Sequence, residues 1–304
     1  MYRKILVPLD GSPFAEAALP LAKALVKSRG GELHLTTVVA PLPAVRPGSG
    51  DGEGPVKGWF EEERSRGTRY LKNVVERLEK EGVSAPLHTR VLTGPVVPSL
   101  QERIEKIGAD LVVMTTHGRG RLAQMWLGSV ADGLIRSGPC PILLWRPEDE
   151  DQRPPLEVKR ILVPLDGSDD SASVVPHARE LAHRMEARLY LLSVVDHGIH
   201  LGSTYMPHAA QEEEEREKAL EELRAHLEEV AVECRSDGLQ VDTRVQLNES
   251  PARAILEHQE EVGADLIAMS TRGRGGVARL VMGSVADKVI RGGTVPVFVN
   301  RPGD

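Results

Sequence analysis

An internal repeat constrains the fold of this sequence more than any other feature. The eight residues Ile-Leu-Val-Pro-Leu-Asp-Gly-Ser occupy positions 5–12 and again positions 161–168. A second segment, Gly-Ser-Val-Ala-Asp, begins at Gly128 and again at Gly283. A period of about 155 residues is the size of a whole domain and far exceeds that of a solenoid repeat. The chain is therefore predicted to consist of two tandem copies of one domain.

The stretch between the two copies indicates a linker. Residues 148–155 are Glu-Asp-Glu-Asp-Gln-Arg-Pro-Pro, and charged, proline-bearing stretches of this kind commonly separate domains. We place domain 1 at residues 1–147, the linker at residues 148–157 and domain 2 at residues 158–304.

Short apolar runs alternate with helical patterns in each copy. They predict strands at residues 4–9, 33–39, 87–92, 111–115 and 142–145, and in the second copy at residues 189–195, 241–247, 266–270 and 297–300. Strands separated by helices pair in parallel through right-handed crossovers, so the predicted fold class is α/β, an open parallel sheet with helices on both faces. Ligands of such sheets bind beyond the carboxyl ends of the strands, where the winding direction reverses.

The first helix of each copy carries a capping signal and a breaking signal. Ser12 is a predicted N-cap, and Pro13 suits the first helical position. Pro20 and Pro176 lie further along, at equivalent places in the two copies. A proline inside a helix removes a backbone donor, so we predict a kink there in both copies.

Two loops are predicted to be mobile, at residues 41–58 and residues 196–211, because glycine, proline or histidine is frequent in them. The second loop contains His197, His200 and His208. A flexible loop supplies no fixed ligand geometry, so these side chains are interpreted as solvated and no metal site is predicted.

Composition excludes several classes of function. The chain has 38 Lys and Arg against 45 Asp and Glu, a net charge of −7, and only 3% aromatic residues, which argues against a nucleic-acid binder. Two cysteines rule out a disulfide scaffold. No apolar run approaches the roughly 18 residues of a membrane span, and the start of the chain does not resemble a signal peptide. We therefore expect a cytoplasmic protein with no membrane partner.

Glycine-rich loops after the fourth strand indicate phosphate binding in both copies. Nine residues separate a leading glycine from a Gly-Ser-Val triplet at a helix start; the residues are Gly118, Gly128, Ser129 and Val130, and in the second copy Gly273, Gly283, Ser284 and Val285. Glycines let phosphate approach backbone N–H groups, and a helix N-terminus adds donors and a favourable dipole. The serines can contact a phosphate oxygen or a metal-bound water, and Arg119 and Arg274 can neutralise phosphate charge.

Other interpretations of these loops stay open or are disfavoured. An ordinary tight turn with the serine as N-cap explains one isolated Gly-Ser pair, but the duplication favours phosphate binding. The chain has no Gly-x4-Gly-Lys-Ser/Thr motif, so the P-loop class is excluded. Short matches to a dinucleotide fingerprint begin at Gly118 and Gly273, but they follow the fourth strand rather than the first, which disfavours that class.

An aspartate follows the first strand of each copy. Asp10 and Asp166 can accept hydrogen bonds from a ribose hydroxyl or an adenine amine. An Asx turn that caps the first helix explains the same residues equally well. The two roles are compatible.

These motifs together resemble those of the universal stress proteins. The resemblance rests on Val-Pro-Leu-Asp-Gly-Ser at the first strand, Gly-x9-Gly-Ser-Val-Ala after the fourth, and Pro-Cys-Pro-Ile-Leu-Leu at the last. It covers nearly the whole chain as a tandem pair and implies, for each copy, five parallel strands in the order 3-2-1-4-5, an adenine-nucleotide α-hydrolase-like fold.

The ATP-binding branch of that family carries Gly-2x-Gly-9x-Gly-Ser/Thr. Its first glycine falls on Thr115 and Ser270 here, so both copies depart from the pattern at that position. The resemblance implies ATP as the ligand, with Mg²⁺ as an accompanying ion. It further implies that the adenosine end contacts Pro8, Asp10, Val38 and Met114 in the first copy and Pro164, Asp166, Val194 and Met269 in the second.

The same resemblance implies how the copies associate. Domains of this family pair through their last strands, so domain 1 is expected to pair with domain 2 through residues 142–145 and 297–300, and a homodimer is a further assembly that the resemblance allows. Such pairing would also cover edges that invite aggregation.

Three classes of function follow from the sequence. The leading hypothesis is an ATP-binding regulatory module of the stress response, which is not an enzyme with a second substrate. The second is an ATP-pyrophosphatase-like or slowly ATP-hydrolysing enzyme, because residues 166–171, Asp-Gly-Ser-Asp-Asp-Ser, loosely resemble the Ser-Gly-Gly-x-Asp-Ser loop of ATP pyrophosphatases. The third is a scaffold without a ligand that acts through protein contacts.

Overall fold

The chain divides into two compact units, Met1–Leu156 and Glu157–Asp304. The computed structural model describes residues 1–41, 53–116, 127–147, 154, 157–195, 209–273 and 282–302. Of the predicted linker, only residues 154 and 157 are among them. The predicted bounds of the domains, and the pairing of their last strands, stay predictions.

The first domain is a parallel sheet crossed by helices. Its elements in chain order are β1 (Lys4–Pro8), α1 (Pro13–Glu16), α2 (Leu19–Arg29), β2 (Glu32–Val39), α3 (Glu53–Lys80), β3 (Leu87–Thr93), α4 (Val96–Ile107), β4 (Leu111–Thr115), α5 (Ser129–Ser137) and β5 (Ile142–Trp145). Each strand pairs in parallel with its neighbours in the order β3-β2-β1-β4-β5. The first strand therefore lies at the centre of the sheet.

The second domain repeats this arrangement. Its elements are β6 (Arg160–Pro164), α6 (Asp169–Ala172), α7 (Val175–Met185), β7 (Arg188–Val195), α8 (Ala209–Ser236), β8 (Val241–Leu247), α9 (Pro251–Val262), β9 (Leu266–Ser270), α10 (Ser284–Gly292) and β10 (Val297–Asn300). The parallel pairings give the order β8-β7-β6-β9-β10, the same as in the first domain.

The apolar runs locate the strands because the central strands are buried on both faces. All five residues of β4 and all five of β9 are buried, so neither strand needs polar side chains on alternate positions. Strands β4, β5, β8, β9 and β10 occupy the predicted residues, and four of the others differ from prediction by one residue at one end. The predicted α/β fold class is confirmed.

The predicted kink in the first helix is wrong. The chain instead forms two short helices, with α1 ending at Glu16 and α2 beginning at Leu19, so that Pro20 is the second residue of α2. The second copy does the same, with Pro176 second in α7. The N–H groups in the first turn of a helix have no intrahelical acceptor, so a proline there loses no hydrogen bond. Because a new helix begins just before Pro20, the proline causes no kink.

The predicted loops are shorter than expected. Helix α3 begins at Glu53, so the last six residues of the predicted loop 41–58 are helical, and residues 42–52 lie outside the described residues. Helix α8 begins at Ala209, while residues 196–208, including His197, His200 and His208, lie outside them. The loop is predicted there because of Gly54 and Pro55, but a helix tolerates proline in its first turn. None of the helices in the described ranges is long and apolar enough to span a bilayer.

The cap of the first helix provides a test of local stability. Ser12 Oγ accepts a hydrogen bond from the Ala15 N–H at 3.1 Å, as predicted for an N-cap. We expect Ser12→Ala to lower the free energy of unfolding of domain 1 by about 1 kcal/mol. All three tryptophans of the chain, Trp59, Trp126 and Trp145, lie in domain 1, so urea denaturation followed by tryptophan fluorescence reports this domain alone.

Ser129→Ala is the matched control. Ser129 is exposed at the first position of α5, where Gly128 is the N-cap and no side chain caps the helix. Its removal is expected to change the free energy of unfolding by less than about 0.5 kcal/mol. Equal losses in the two variants would contradict the capping role of Ser12.

Candidate functional site

The central position of the first strand creates a crevice at the carboxyl edge of each sheet. The chain leaves β1 toward β2 on one side, while β4 pairs with the other side of β1. Loops that follow β1 and β4 therefore diverge around a point where the winding direction reverses. In the second domain β6 lies between β7 and β9 in the same way.

The structure brings most of the predicted binding residues to this edge. Those buried at the ends of β4 and β9 are Met114, Thr115, Met269 and Ser270. Partly exposed ones are Pro8, Asp10, Val38, Gly128 and Val130, with Pro164, Asp166, Val194, Gly273, Gly283 and Val285 in the second domain. Ser129 and Ser284 are exposed at helix starts, and Gly118, Arg119 and Arg274 lie outside the described residues.

The aspartate after the first strand forms an Asx turn in both domains. Asp10 Oδ1 accepts hydrogen bonds from the Ser12 N–H at 2.9 Å and from Ser12 Oγ at 2.6 Å. Asp166 Oδ1 accepts from Ser168 N–H at 3.0 Å and Ser168 Oγ at 2.6 Å. The glycine between them has a positive φ, 82° at Gly11, a conformation that glycine adopts without strain. The predicted Asx turn is confirmed, while a contact of the aspartates with ribose or adenine stays a prediction.

The serines of residues 166–171 make local hydrogen bonds, and Ser168 is the N-cap of α6. Ser168 Oγ accepts from the Ser171 N–H at 3.1 Å. Ser171 Oγ donates to the Ser168 carbonyl at 2.9 Å and accepts from the Asp166 N–H at 3.2 Å. These hydroxyls hold the turn and the start of α6, which explains their presence without the chemistry of an ATP pyrophosphatase.

The loops after β6 and β9 meet at Gly273. A Cβ at this position would lie far inside contact distance of Asp166 Oδ2. The carboxylate is held through its other oxygen, Oδ1, by two hydrogen bonds from Ser168, so a side chain at position 273 would have to displace a hydrogen-bonded group. This contact is the direct link between the first-strand turn and the glycine-rich loop in the second domain.

The N-cap of the helix that follows each glycine-rich loop is a glycine rather than a serine. Gly128 and Gly283 are the N-caps, and their N–H groups donate to the carbonyls of Thr116 and Thr271 at 2.8 Å. The alternative that the serine is an N-cap is therefore wrong. The first three N–H groups of α5, from Ser129 onward, have no intrahelical acceptor and form the positive end of the helix dipole.

Arg272 is a residue of this edge that sequence patterns did not identify. Its Nη2 donates to the Pro302 carbonyl at 2.6 Å, and its Nε lies 3.8 Å from Asp170 Oδ2. The side chain is only 17% exposed, so it ties the end of β9 to α6 and to the last residues of the second domain. Position 117 corresponds to it in the first copy and holds a histidine, so the repeat gave no signal.

Tyr70 in α3 also lies near the turn after β1. Its hydroxyl is buried, and burial raises the pKa of the phenol well above its ordinary value, with the carboxylates of Glu16 and Asp10 adding to the shift. The phenol is therefore protonated at neutral pH. His226 occupies the same place in α8, and its Nε2 is buried too.

The two copies differ in the loop after the third strand. The repeat period of about 155 residues places Glu249 opposite Gly94, but the backbone hydrogen bonds match Gly94 with Asn248. The N–H of Gly94 donates to Val39, and that of Asn248 donates to the equivalent Val195. Gly94 has a φ of 141°, whereas Asn248 is not among the positive-φ residues and instead accepts from the Ser250 N–H through Oδ1. The second domain thus lacks this glycine and holds its loop with an Asx turn.

The profile of the universal stress protein family matches residues 1–146 and 157–301 of the chain. A universal stress protein of Mycobacterium tuberculosis is 28% identical over 304 residues, which are 98% of this chain and 96% of that protein. A universal stress protein of Methanocaldococcus jannaschii is 36% identical over 141 residues, which are 46% of this chain and 81% of that protein.

A solved structure shares the fold over the whole chain. The crystal structure of a universal stress protein from Archaeoglobus fulgidus covers 100% of this chain and 100% of its own, with a TM-score of 0.73 and 23% identity. At this level of sequence identity, the similarity shows that the two chains share the arrangement of their helices and strands.

The contact between Gly273 and Asp166 can be tested by a double-mutant cycle. We expect Gly273→Ala to lower the free energy of unfolding by about 1–3 kcal/mol, because the new methyl group displaces a hydrogen-bonded carboxylate. In an Asp166→Ala background the same change should cost less than about 0.5 kcal/mol. The measurement is urea denaturation followed by circular dichroism, and an equal cost in both backgrounds would contradict the contact.

Proposed function

The chain belongs to the universal stress protein family, and we propose that each of its domains binds one ATP molecule as a regulatory module. The observation that supports this most is the crevice at the carboxyl edge, where the Asp166 turn contacts Gly273 beside the start of α10. A turn with a carboxylate and a helix N-terminus are the two features that a nucleotide needs at opposite ends, for its sugar and for its phosphates.

Each end of the nucleotide has residues of suitable chemistry. The phosphates would lie at the starts of α5 and α10, where the N–H groups of Ser129 and Ser284 and of the next two residues lack intrahelical acceptors. The serine hydroxyls are exposed there and would reach a phosphate oxygen or a water on Mg²⁺. Val38 and Val194 would contact the base, and Asp10 and Asp166 would accept from the ribose.

The described residues favour binding without turnover of a second substrate. The carboxylates of Asp10 and Asp166 each accept two hydrogen bonds from the following serine, which keeps them as acceptors in a fixed turn. The serine hydroxyls of residues 166–171 are engaged in hydrogen bonds within the turn and the start of α6 rather than poised as nucleophiles. The proposed role is therefore to sense or hold ATP.

Calorimetry on protein freed of nucleotide tests the proposal. We expect two equivalents of ATP per chain in the presence of Mg²⁺. Asp10→Ala and Asp166→Ala should each weaken one of the two sites by about 10–100-fold, the loss of a hydrogen bond to a charged group. Tryptophan fluorescence identifies the affected site, because all three tryptophans lie in domain 1.

Ser12→Ala and Ser168→Ala are the matched controls. Each removes the hydroxyl that donates to the same aspartate and so loosens the same turn, but it keeps the carboxylate. ATP affinity should change by less than about threefold in these variants. No ATP binding by the intact stripped protein would overturn the proposal in favour of a scaffold, and acceptor-dependent release of pyrophosphate would overturn it in favour of an enzyme.

A further inference from the structure

Two histidines and a glutamate come together in domain 1, away from the proposed nucleotide site. Glu32 and His34 are two positions apart on β2, so their side chains lie on the same face of the sheet. His88 on β3 is the direct partner of His34 in the parallel register. Glu32 is the first residue of β2, and the crevice lies at its other end.

The two imidazoles meet the carboxylate of Glu32. His34 Nε2 lies 2.9 Å from Glu32 Oε1, and His88 Nε2 lies 3.3 Å from Glu32 Oε2. The two imidazole rings stack with their centroids 4.7 Å apart. One ligand atom from each residue falls within 4.8 Å of the other two. Metal bonds of about 2.1 Å at a tetrahedral angle place ligand atoms about 3.4 Å apart, which is close to the two nitrogen–oxygen distances found here.

The second domain holds a different group at the same positions. Arg188, Tyr190 and Asp242 replace the three residues, and Arg188 Nε lies 2.6 Å from Asp242 Oδ2. That ion pair joins β7 to β8 without any imidazole. The histidine cluster is therefore not needed to hold the two strands together and is particular to domain 1.

We propose that Glu32, His34 and His88 bind one divalent ion of the zinc class. Two imidazoles and a carboxylate suit Zn²⁺ and neighbouring late transition metals, whereas Mg²⁺ and Ca²⁺ prefer oxygen ligands alone. His34 is almost fully buried and Glu32 is partly buried, while the side chain of His88 is 48% exposed. The remaining coordination position faces solvent and is filled by water.

Arg103 on α4 tunes this site. Its Nη2 lies 3.5 Å from His34 Nδ1, and because a guanidinium has no lone pair, Nδ1 is the acceptor. His34 Nε2 then carries the proton and donates to Glu32. Ligation through Nε2 requires that proton to move to Nδ1, so Arg103 must withdraw when the ion binds. Lys4 Nζ, 4.0 Å from Glu32 Oε1, is the second cation that competes for the carboxylate.

The experiment is titration of the metal-free chain with Zn²⁺, followed both by calorimetry and by the thermal midpoint of tryptophan fluorescence. Binding to the native state raises the midpoint of the domain that holds the ion. We expect Zn²⁺, but not Mg²⁺, to raise the domain 1 midpoint. His88→Ala and Glu32→Gln should each weaken Zn²⁺ binding by about 100-fold, and His88 is exposed enough for its loss to leave the fold intact.

A variant with His197, His200 and His208 all changed to Ala is the control, since these histidines are the other cluster in the sequence. They belong to domain 2, which has no tryptophan, so the Zn²⁺ effect on fluorescence should be unchanged in this variant. Arg103→Ala should tighten binding by roughly tenfold, because it removes the competitor for His34.

Three results would overturn the proposal. They are a wild-type protein whose domain 1 midpoint does not respond to Zn²⁺, a response that survives in His88→Ala, and a response that is lost in the triple control variant. None of these results depends on ATP, so they are distinct from failure of the proposed nucleotide site.

Discussion

Parallel pairing of the first strand with two different neighbours is the constraint on which the rest of each domain depends. With β2 on one side of β1 and β4 on the other, the connections leave the sheet in opposite directions. The same pairing at β6 gives the second domain its crevice. All five residues of β4, which pairs with β1, and of β9, which pairs with β6, are buried, because helices cover parallel sheets of this kind on both faces.

The turn after the first strand converts that topology into a site. One carboxylate oxygen of Asp10 or Asp166 accepts two hydrogen bonds, and the serine that donates both of them also caps the next helix. A single hydrogen-bond network therefore fixes the position of the carboxylate and the start of the helix together. In domain 2 the network extends to Gly273, whose missing side chain leaves room for the carboxylate.

The two domains are alike in the turn after the first strand and in the helix starts, but they differ in their outer strands. Domain 1 joins β2 and β3 through Glu32, His34 and His88, where domain 2 uses an ion pair between Arg188 and Asp242. The loop after the third strand differs as well. The turn after the first strand and the helix starts therefore match in the two domains, whereas the side chains that join the two outer strands of each sheet differ.

The sequence by itself determined that there are two copies of an α/β domain, where the buried strands lie, and which sheet edge carries the unusual residues. It could do so because a buried strand must be apolar at every position and because tight turns need specific residue types. Tertiary structure decided the rest. The contact of Gly273 with Asp166 and the pairing of His34 with His88 depend on packing and strand register between residues that are distant in the chain. No local pattern records which distant residues become neighbours, since that follows only when the whole sheet has formed.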